Sequence, residues 1–199
     1  MTIKAIETAY NGYRFRSRLE ARWAVFFDAL GVEYEYEPEG FDIDGTWYLP
    51  DFYLPDHEAW IEIKGKHVQL GEHREEYIHA LVCMACLAVE RGSQFATRTA
   101  LVIFGGPYLG DYEIVGMRKG DEVGETLNGH FYVGRKNDLE LWVGRDDLGI
   151  SCLKTLVEWD DRHPMDVCER VQCAYQAARQ ARFEHGEQPV TAEMLEGVA

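Results

Sequence analysis

No apolar run in this chain is long enough to span a bilayer, and its first residues lack a signal-peptide pattern, so a cytoplasmic protein with no membrane partner is expected. Basic residues are scarce: 20 Lys and Arg against 35 Asp and Glu give a formal charge of −15. That balance has the wrong sign for a protein that neutralises phosphates over its whole surface. Cysteine is sparse and odd in number, and five thiols without a secretion signal argue against a disulfide framework. Cys83 and Cys86 have zinc-like spacing, and Cys152, Cys168 and Cys173 are the only others available to complete a site. The first two fall inside an apolar helical pattern, where a free Cys is an ordinary small hydrophobe. The seven histidines do not cluster, and His67 and His73 read as solvated polar residues. Internal repeats and low-complexity tracts are absent. A chain of 199 residues can bury one sizeable core, so one domain with an elaboration is expected rather than two independent ones.

The segment from Pro50 to Lys64 carries the most chemistry. Tyr48 to Leu54 and Ala59 to Lys64 are rich in aromatic and aliphatic residues, and the Pro-Asp-His-Glu between them is turn chemistry, so a hairpin is predicted. Pairing Leu54 with Ala59 across the loop sets Phe52 opposite Ile61 and Asp51 opposite Glu62. Alternation then places Trp60, Glu62 and Lys64 on one face with Asp51, and Ile61 and Ile63 on the other. Opposed side chains have Cβ atoms about 4.5–5.5 Å apart, and like charges there destabilise a sheet unless something neutralises them. A divalent cation does so, and a carboxylate pair suits Mg²⁺, which keeps waters and phosphate oxygens as its other ligands. Lys64 can then hold a phosphate or a nucleophilic water by charge. The plain alternative is a surface hairpin with an exposed Glu/Lys pair.

Upstream, Leu19, Trp23, Phe26, Phe27 and Leu30 recur at helical spacing between Ser17 and Gly31, which predicts an amphipathic helix stopped by the glycine. Ser17 and Glu20 are spaced as a capping box, so Glu20 has a structural explanation. It can equally be an acidic residue brought to the two-carboxylate site from a packed helix.

Glu20, Pro50-Asp51 and Glu62-Ile63-Lys64, in the order helix, strand, strand, resemble the PD-(D/E)XK nuclease superfamily. Phe15-Arg16-Ser17-Arg18-Leu19-Glu20, Gly31 to Glu37, Tyr48 to Pro55 and Glu62-Ile63-Lys64-Gly65 are similar to the phage endonuclease I type of Holliday junction resolvase, and the blocks recur in transposon end-cleaving subunits. The likeness covers Phe15 to Lys66, about a quarter of the chain. It implies a restriction-endonuclease-like α/β core of helix, mixed sheet and helix over residues 1–106. It further implies a metal-dependent endodeoxyribonuclease, acting on DNA as a homodimer with Mg²⁺, for which Mn²⁺ can substitute. Asp51 and Glu62 would bind metal with the Ile63 carbonyl, Glu20 would complete the site, and Lys64 would orient the attacking water or steady the phosphorane.

The remaining pattern is α/β. Val32 to Glu37 alternates as a half-buried strand, residues 72–91 have helical periodicity, and Thr99 to Phe104 is an apolar run suited to a strand buried on both faces. Over residues 107–199 a β-rich elaboration is expected: strands at Tyr112 to Met117, Gly129 to Arg135 and Leu139 to Val143, a hairpin turn at Arg135-Lys136-Asn137-Asp138, a helix from Pro164 to about Phe183, and a polar tail. It would enlarge the core, cover a sheet edge, or serve a dimer or substrate.

Charge is unevenly distributed. From Lys4 to Arg22 there are five basic residues against two acidic ones, while residues 31–62 hold ten Asp and Glu and no Lys or Arg. Arg14, Arg16, Arg18, Arg22 and Lys66 form either a DNA-binding stripe beside the site or a solvated face. Two functions follow from different classes. One is the nuclease; the other is a non-catalytic module of the same fold that binds a protein partner or DNA ends through its acidic surface.

Overall fold

A computed structural model describes residues 5–43, 45–65, 99–107, 112–118, 126–133, 139–145, 148–151 and 169–183. The first element is a hairpin of β1 (Thr8–Tyr10) and β2 (Tyr13–Phe15), turned through Asn11-Gly12. Both turn residues sit at positive φ, 46° and 81°, which the tight type I′ hairpin turn demands and which Asn and Gly tolerate best. Helix α1 (Arg18–Leu30) follows, with Ser17 as its N-cap. At its other end the Gly31 N–H is donated to the Asp28 carbonyl and the Val32 N–H to the Phe27 carbonyl, a Schellman closure that the left-handed Gly31 makes possible.

The chain then builds β3 (Glu35–Tyr36), β4 (Phe41–Ile43), β5 (Thr46–Tyr48), β6 (Phe52–Leu54), β7 (Ala59–Lys64) and β8 (Thr99–Phe104). Strands β9 (Tyr112–Arg118), β10 (Thr126–Val133), β11 (Leu139–Arg145) and β12 (Leu148–Ser151) follow, and α2 (Glu169–Gln180) is the next α-helix among the described residues. β4 and β5 make a separate two-stranded hairpin, while eight strands form one sheet in the order β12-β11-β10-β9-β8-β7-β6-β3. All its pairs are antiparallel except β7 with β8, so the fold is mixed α/β with a mixed sheet. Strands β9 to β12 continue the sheet from β8 onward.

Some boundaries differ from the sequence pattern. The strand expected over 48–54 is broken: Tyr48 ends β5 opposite Phe41, and Leu49, Pro50 and Asp51 lie outside any ladder before β6 begins. Pro50, which has no N–H to donate, sits in the break. The strand expected over 32–37 shortens to two residues, and β12 is additional. The expected hairpin turn at residues 135–138 is outside the described residues, but Val133 and Leu139 pair on either side of it. The helix expected over 72–91 and the start of the one expected from Pro164 also lie outside the described residues.

The core sits between α1 and the sheet. Trp23, Phe26 and Phe27 are fully buried, and the Trp23 indole N–H is donated to the Gly105 carbonyl at 2.9 Å. Phe15, Phe27, Tyr34, Tyr36 and Phe52 form an aromatic cluster, the closest rings being Phe15 and Tyr36 at 4.4 Å. α2 packs along α1, Tyr175 stacking on Phe26 at 4.8 Å. The opposite face of β7 is also covered, since Trp60 is fully buried against Tyr53 and against Phe41 from the small hairpin. Among the described residues no helix is long and apolar enough to cross a membrane.

Candidate functional site

Register places Asp51. β6 and β7 pair Leu54 with Ala59 and Phe52 with Ile61, the alignment that the four-residue loop predicts. One step outward Asp51 meets β7 beside Glu62, where the Ile63 N–H is donated to Asp51 Oδ2 at 2.7 Å. On the other side β3 pairs Tyr36 with Phe52, and the Glu37 N–H is donated to the Asp51 carbonyl at 2.9 Å. Glu37 just past β3, Asp51 just before β6 and Glu62 within β7 therefore lie as neighbouring acidic residues.

Asp51 is 2% exposed and Glu62 3%, so the expected alternative of a solvated hairpin face is not what forms. Lys64 donates to Glu62 Oε1, whereas Glu62 Oε2 is buried without a hydrogen-bond partner. Burial above all, then the charges of Glu62 and Glu20, hold the Asp51 carboxyl well above the usual carboxylate range; the Ile63 N–H and Lys64 oppose this only in part. Glu37 is also raised, by burial first, with Glu20 and Glu62 adding to it against the pull of Arg16 and Tyr36. Four carboxylates thus share one electrostatic neighbourhood.

Glu20 comes from the first turn of α1 and is 8% exposed. Its N–H is donated to Ser17 Oγ at 3.2 Å, as a cap requires, and the Ser17 hydroxyl is donated to Glu20 Oε1 at 2.6 Å. Oε2 accepts the Tyr36 hydroxyl at 2.5 Å and the Arg16 N–H at 3.1 Å. The backbone donor it satisfies is thus one residue earlier than a standard capping box uses. Both oxygens are engaged in positioning the strand-to-helix entry. Among the described residues no group of three or more His, Cys, Asp or Glu is gathered to hold an ion together. The nearest approach to a ligand set is the pair Asp51 and Glu62, with Glu20 beside it.

The arginines of the expected stripe have different surroundings. Arg16 turns into the site, its Nη2 2.8 Å from Asp51 Oδ1 and its Nε 2.5 Å from Glu37 Oε1. Burial works against its charge, but Tyr36, Asp51 and Glu37 outweigh it and raise the guanidinium pKa. Arg14 pairs with Glu7 in the open, Arg18 is half-buried, and Arg22 is exposed on α1. Lys66, His67, His73, Cys83, Cys86, Cys152 and Cys168 lie outside the described residues; Cys173 is a free thiol on α2.

Glu37 is the residue that the sequence pattern does not single out. Its signal is positional, since pairing the strand ending at Tyr36 with Phe52 brings Glu37 across from Asp51. Its left-handed backbone, φ 47°, is unusual for a residue with a Cβ and is not readable from composition. Comparison with known proteins finds no matching family model, curated protein or solved structure.

Proposed function

We propose that the chain is a Mg²⁺-dependent endodeoxyribonuclease of the restriction-endonuclease-like α/β type, hydrolysing phosphodiester bonds and working on DNA as a homodimer. The observation that carries this reading is Glu62: a carboxylate 3% exposed, with one oxygen on Lys64 and the other unpartnered, beside a second buried carboxylate. Burying two carboxylates side by side is costly even with Lys64 and Arg16 as partners, and the bare Glu62 oxygen adds to that cost. The donors are hard oxygens, the type Mg²⁺ prefers, and the residues that would hold it are Asp51 and Glu62, with the Ile63 carbonyl on the same strand and Glu20 alongside. A bound cation there supplies charge stabilisation and lowers the pKa of an attacking water. The Ile63 N–H fixes the orientation of Asp51, Ser17 and Tyr36 fix Glu20, and the Lys64 ammonium offers charge to a phosphate oxygen or the water.

A second reading, a non-catalytic module of the same fold binding a protein partner or DNA ends, is favoured by the −15 charge and by the pairing of Arg14 and Arg16 with acidic residues. A cleavage screen separates the two. Four-way junction, flap, nicked, single-stranded and linear duplex DNA are each incubated with Mg²⁺, Mn²⁺ or EDTA. Cation-dependent nicking of at least one substrate is expected. Absence of cleavage and of salt-dependent binding across the whole set would leave the module as the better account.

A further inference from the structure

We propose that Arg16, braced by Glu37, is a movable phosphate clamp, which covers Asp51 in the arrangement described here and turns to a substrate phosphate once a divalent cation takes its place. This deepens the nuclease reading and rests on it.

The two oxygens of Asp51 are spoken for differently. Oδ2 accepts a buried backbone N–H from Ile63, which would be left orphaned if the carboxylate turned away. Oδ1 is therefore the oxygen open to a cation, and it is the one Arg16 Nη2 covers. Cation and guanidinium compete for the same lone pairs.

Arg16 is built to move without disturbing the fold. Its backbone N–H is fixed to Glu20 Oε2 and to the Tyr36 hydroxyl, so the residue is anchored beside the carboxylates. Its side chain is nonetheless 54% exposed, against 3% for Asp51 and 20% for Glu37. Swinging the guanidinium outward uncovers little apolar surface. Glu37 Oε1 lies 2.5 Å from Nε as an ion pair, so once Asp51 is given up to a cation both terminal nitrogens can form the paired donors that suit a phosphate. Lys64, bound to Glu62, is a point charge and offers no such fork.

The test reads cation binding directly, with no cleavage involved. Free Mn²⁺ is followed by electron paramagnetic resonance during titration of wild type, Arg16→Gln, Arg16→Lys and Asp51→Asn, with melting curves confirming that each is folded. Removing the competitor should tighten Mn²⁺ binding by about threefold or more in Arg16→Gln. Arg16→Lys should fall between, because one ammonium cannot bridge Asp51 and Glu37 as the fork does. Asp51→Asn should lose the site. In a second measurement, DNA binding is titrated against salt with Ca²⁺ or with EDTA. The fall of log K with log salt should be shallower by about 0.9 for Arg16→Gln in Ca²⁺, one phosphate contact fewer, and unchanged in EDTA.

If wild type binds Mn²⁺ through Asp51 and Arg16→Gln binds it no tighter, the clamp is overturned while the metal reading stands. If none of the proteins binds Mn²⁺, both fall. Binding by Arg16→Gln with wild type silent supports the clamp in its strongest form. Equal salt slopes in Ca²⁺ would overturn the phosphate role.

Discussion

Each end of α1 holds a carboxylate under tyrosine hydroxyls. At the C-terminal end Asp28 Oδ2 accepts from Tyr10 at 2.7 Å, Asn11 at 3.2 Å and Tyr34 at 3.4 Å. At the N-terminal end Glu20 accepts from Ser17, Tyr36 and the Arg16 backbone. The local chemistry is alike, but the company differs. Burial raises the Asp28 pKa and its neutral donors pull it back. Beside Glu20 stand Asp51 and Glu37, both raised by burial and by the charges of Glu20 and Glu62, and a buried Glu62 oxygen that no donor meets. A carboxylate ringed by neutral donors is explained by what it ties together: here β1, the β1–β2 turn and the end of α1. A crowd of carboxylates is not, because removing any one of them would relieve the others.

The sharpest way to break this comparison is to neutralise one carboxylate at each end. Asp51→Asn and Glu62→Gln should each reduce cleavage by about 10³-fold or more, the scale of losing a preorganised electrostatic contact. Their melting temperatures in EDTA should stay level or rise, since each relieves a like-charge pair. Asp28→Asn should leave cleavage within a factor of about two on the same scale. If either site variant cleaves at close to the wild-type rate in Mg²⁺, that carboxylate has been misassigned.

Glu20 tests whether the N-terminal end is cap or site. Gln keeps one acceptor oxygen for the Tyr36 hydroxyl and the Arg16 N–H, and its amide NH2 can donate to the Ser17 hydroxyl, so Glu20→Gln should leave stability nearly unchanged while cleavage drops by about 10²-fold. Ser17→Ala should instead cost about 0.5–2 kcal/mol of stability, the range for losing an N-cap side chain. Urea unfolding and initial rates on one substrate decide the matter. Full activity in Glu20→Gln would reduce the residue to a cap.

A smaller effect concerns pH. The folded chain holds Asp51 above its ordinary value, so the folded state binds the proton more tightly than the unfolded state does. Stability from this group is fully present below the unfolded pKa of about 3.9 and is lost as pH rises through the raised folded value. In EDTA, the melting temperature of wild type should therefore decline with rising pH more than that of Asp51→Asn. Parallel curves from pH 4 to 8 would show that the folded chain does not hold Asp51 above its ordinary value.

Much of this arrangement is legible in the residues. The hairpin register around Pro-Asp-His-Glu follows from turn chemistry and loop length, which act locally, and the buried run Ala100 to Phe104 shows in its unbroken apolarity. The helix start at Ser17 and stop at Gly31 are equally local. What the pattern hides is set by distant partners. Glu62 looks like a solvated strand residue, but it is buried, and the face it shares with Trp60 is packed by Phe41, nineteen positions before that tryptophan. Arg16 looks like one of a basic series until β3 and β6 bring Glu37 and Asp51 within its reach. The short hairpins at Asn11-Gly12 and Gly45 carry a turn signal, but three-residue strands are too brief to show alternation.

The parallel pairing of β7 with β8 has a consequence for how the protein is made. Lys64 aligns with Phe104, forty residues further along, so β7 has no neighbour on that side until β8 has been synthesised. A nascent chain that has just emerged past Lys64 already carries Arg16, Glu20, Asp51 and Glu62. It also shows an unpaired strand edge with Trp60, Ile61 and Ile63 on it, the kind of edge that invites pairing with another chain. Long-range pairing of this sort forms slowly, because the intervening segment must close first. Every chemical group of the site is thus in place on the ribosome well before the strand that shelters it. A stalled or truncated product would be prone to aggregate, with its charges incompletely buried.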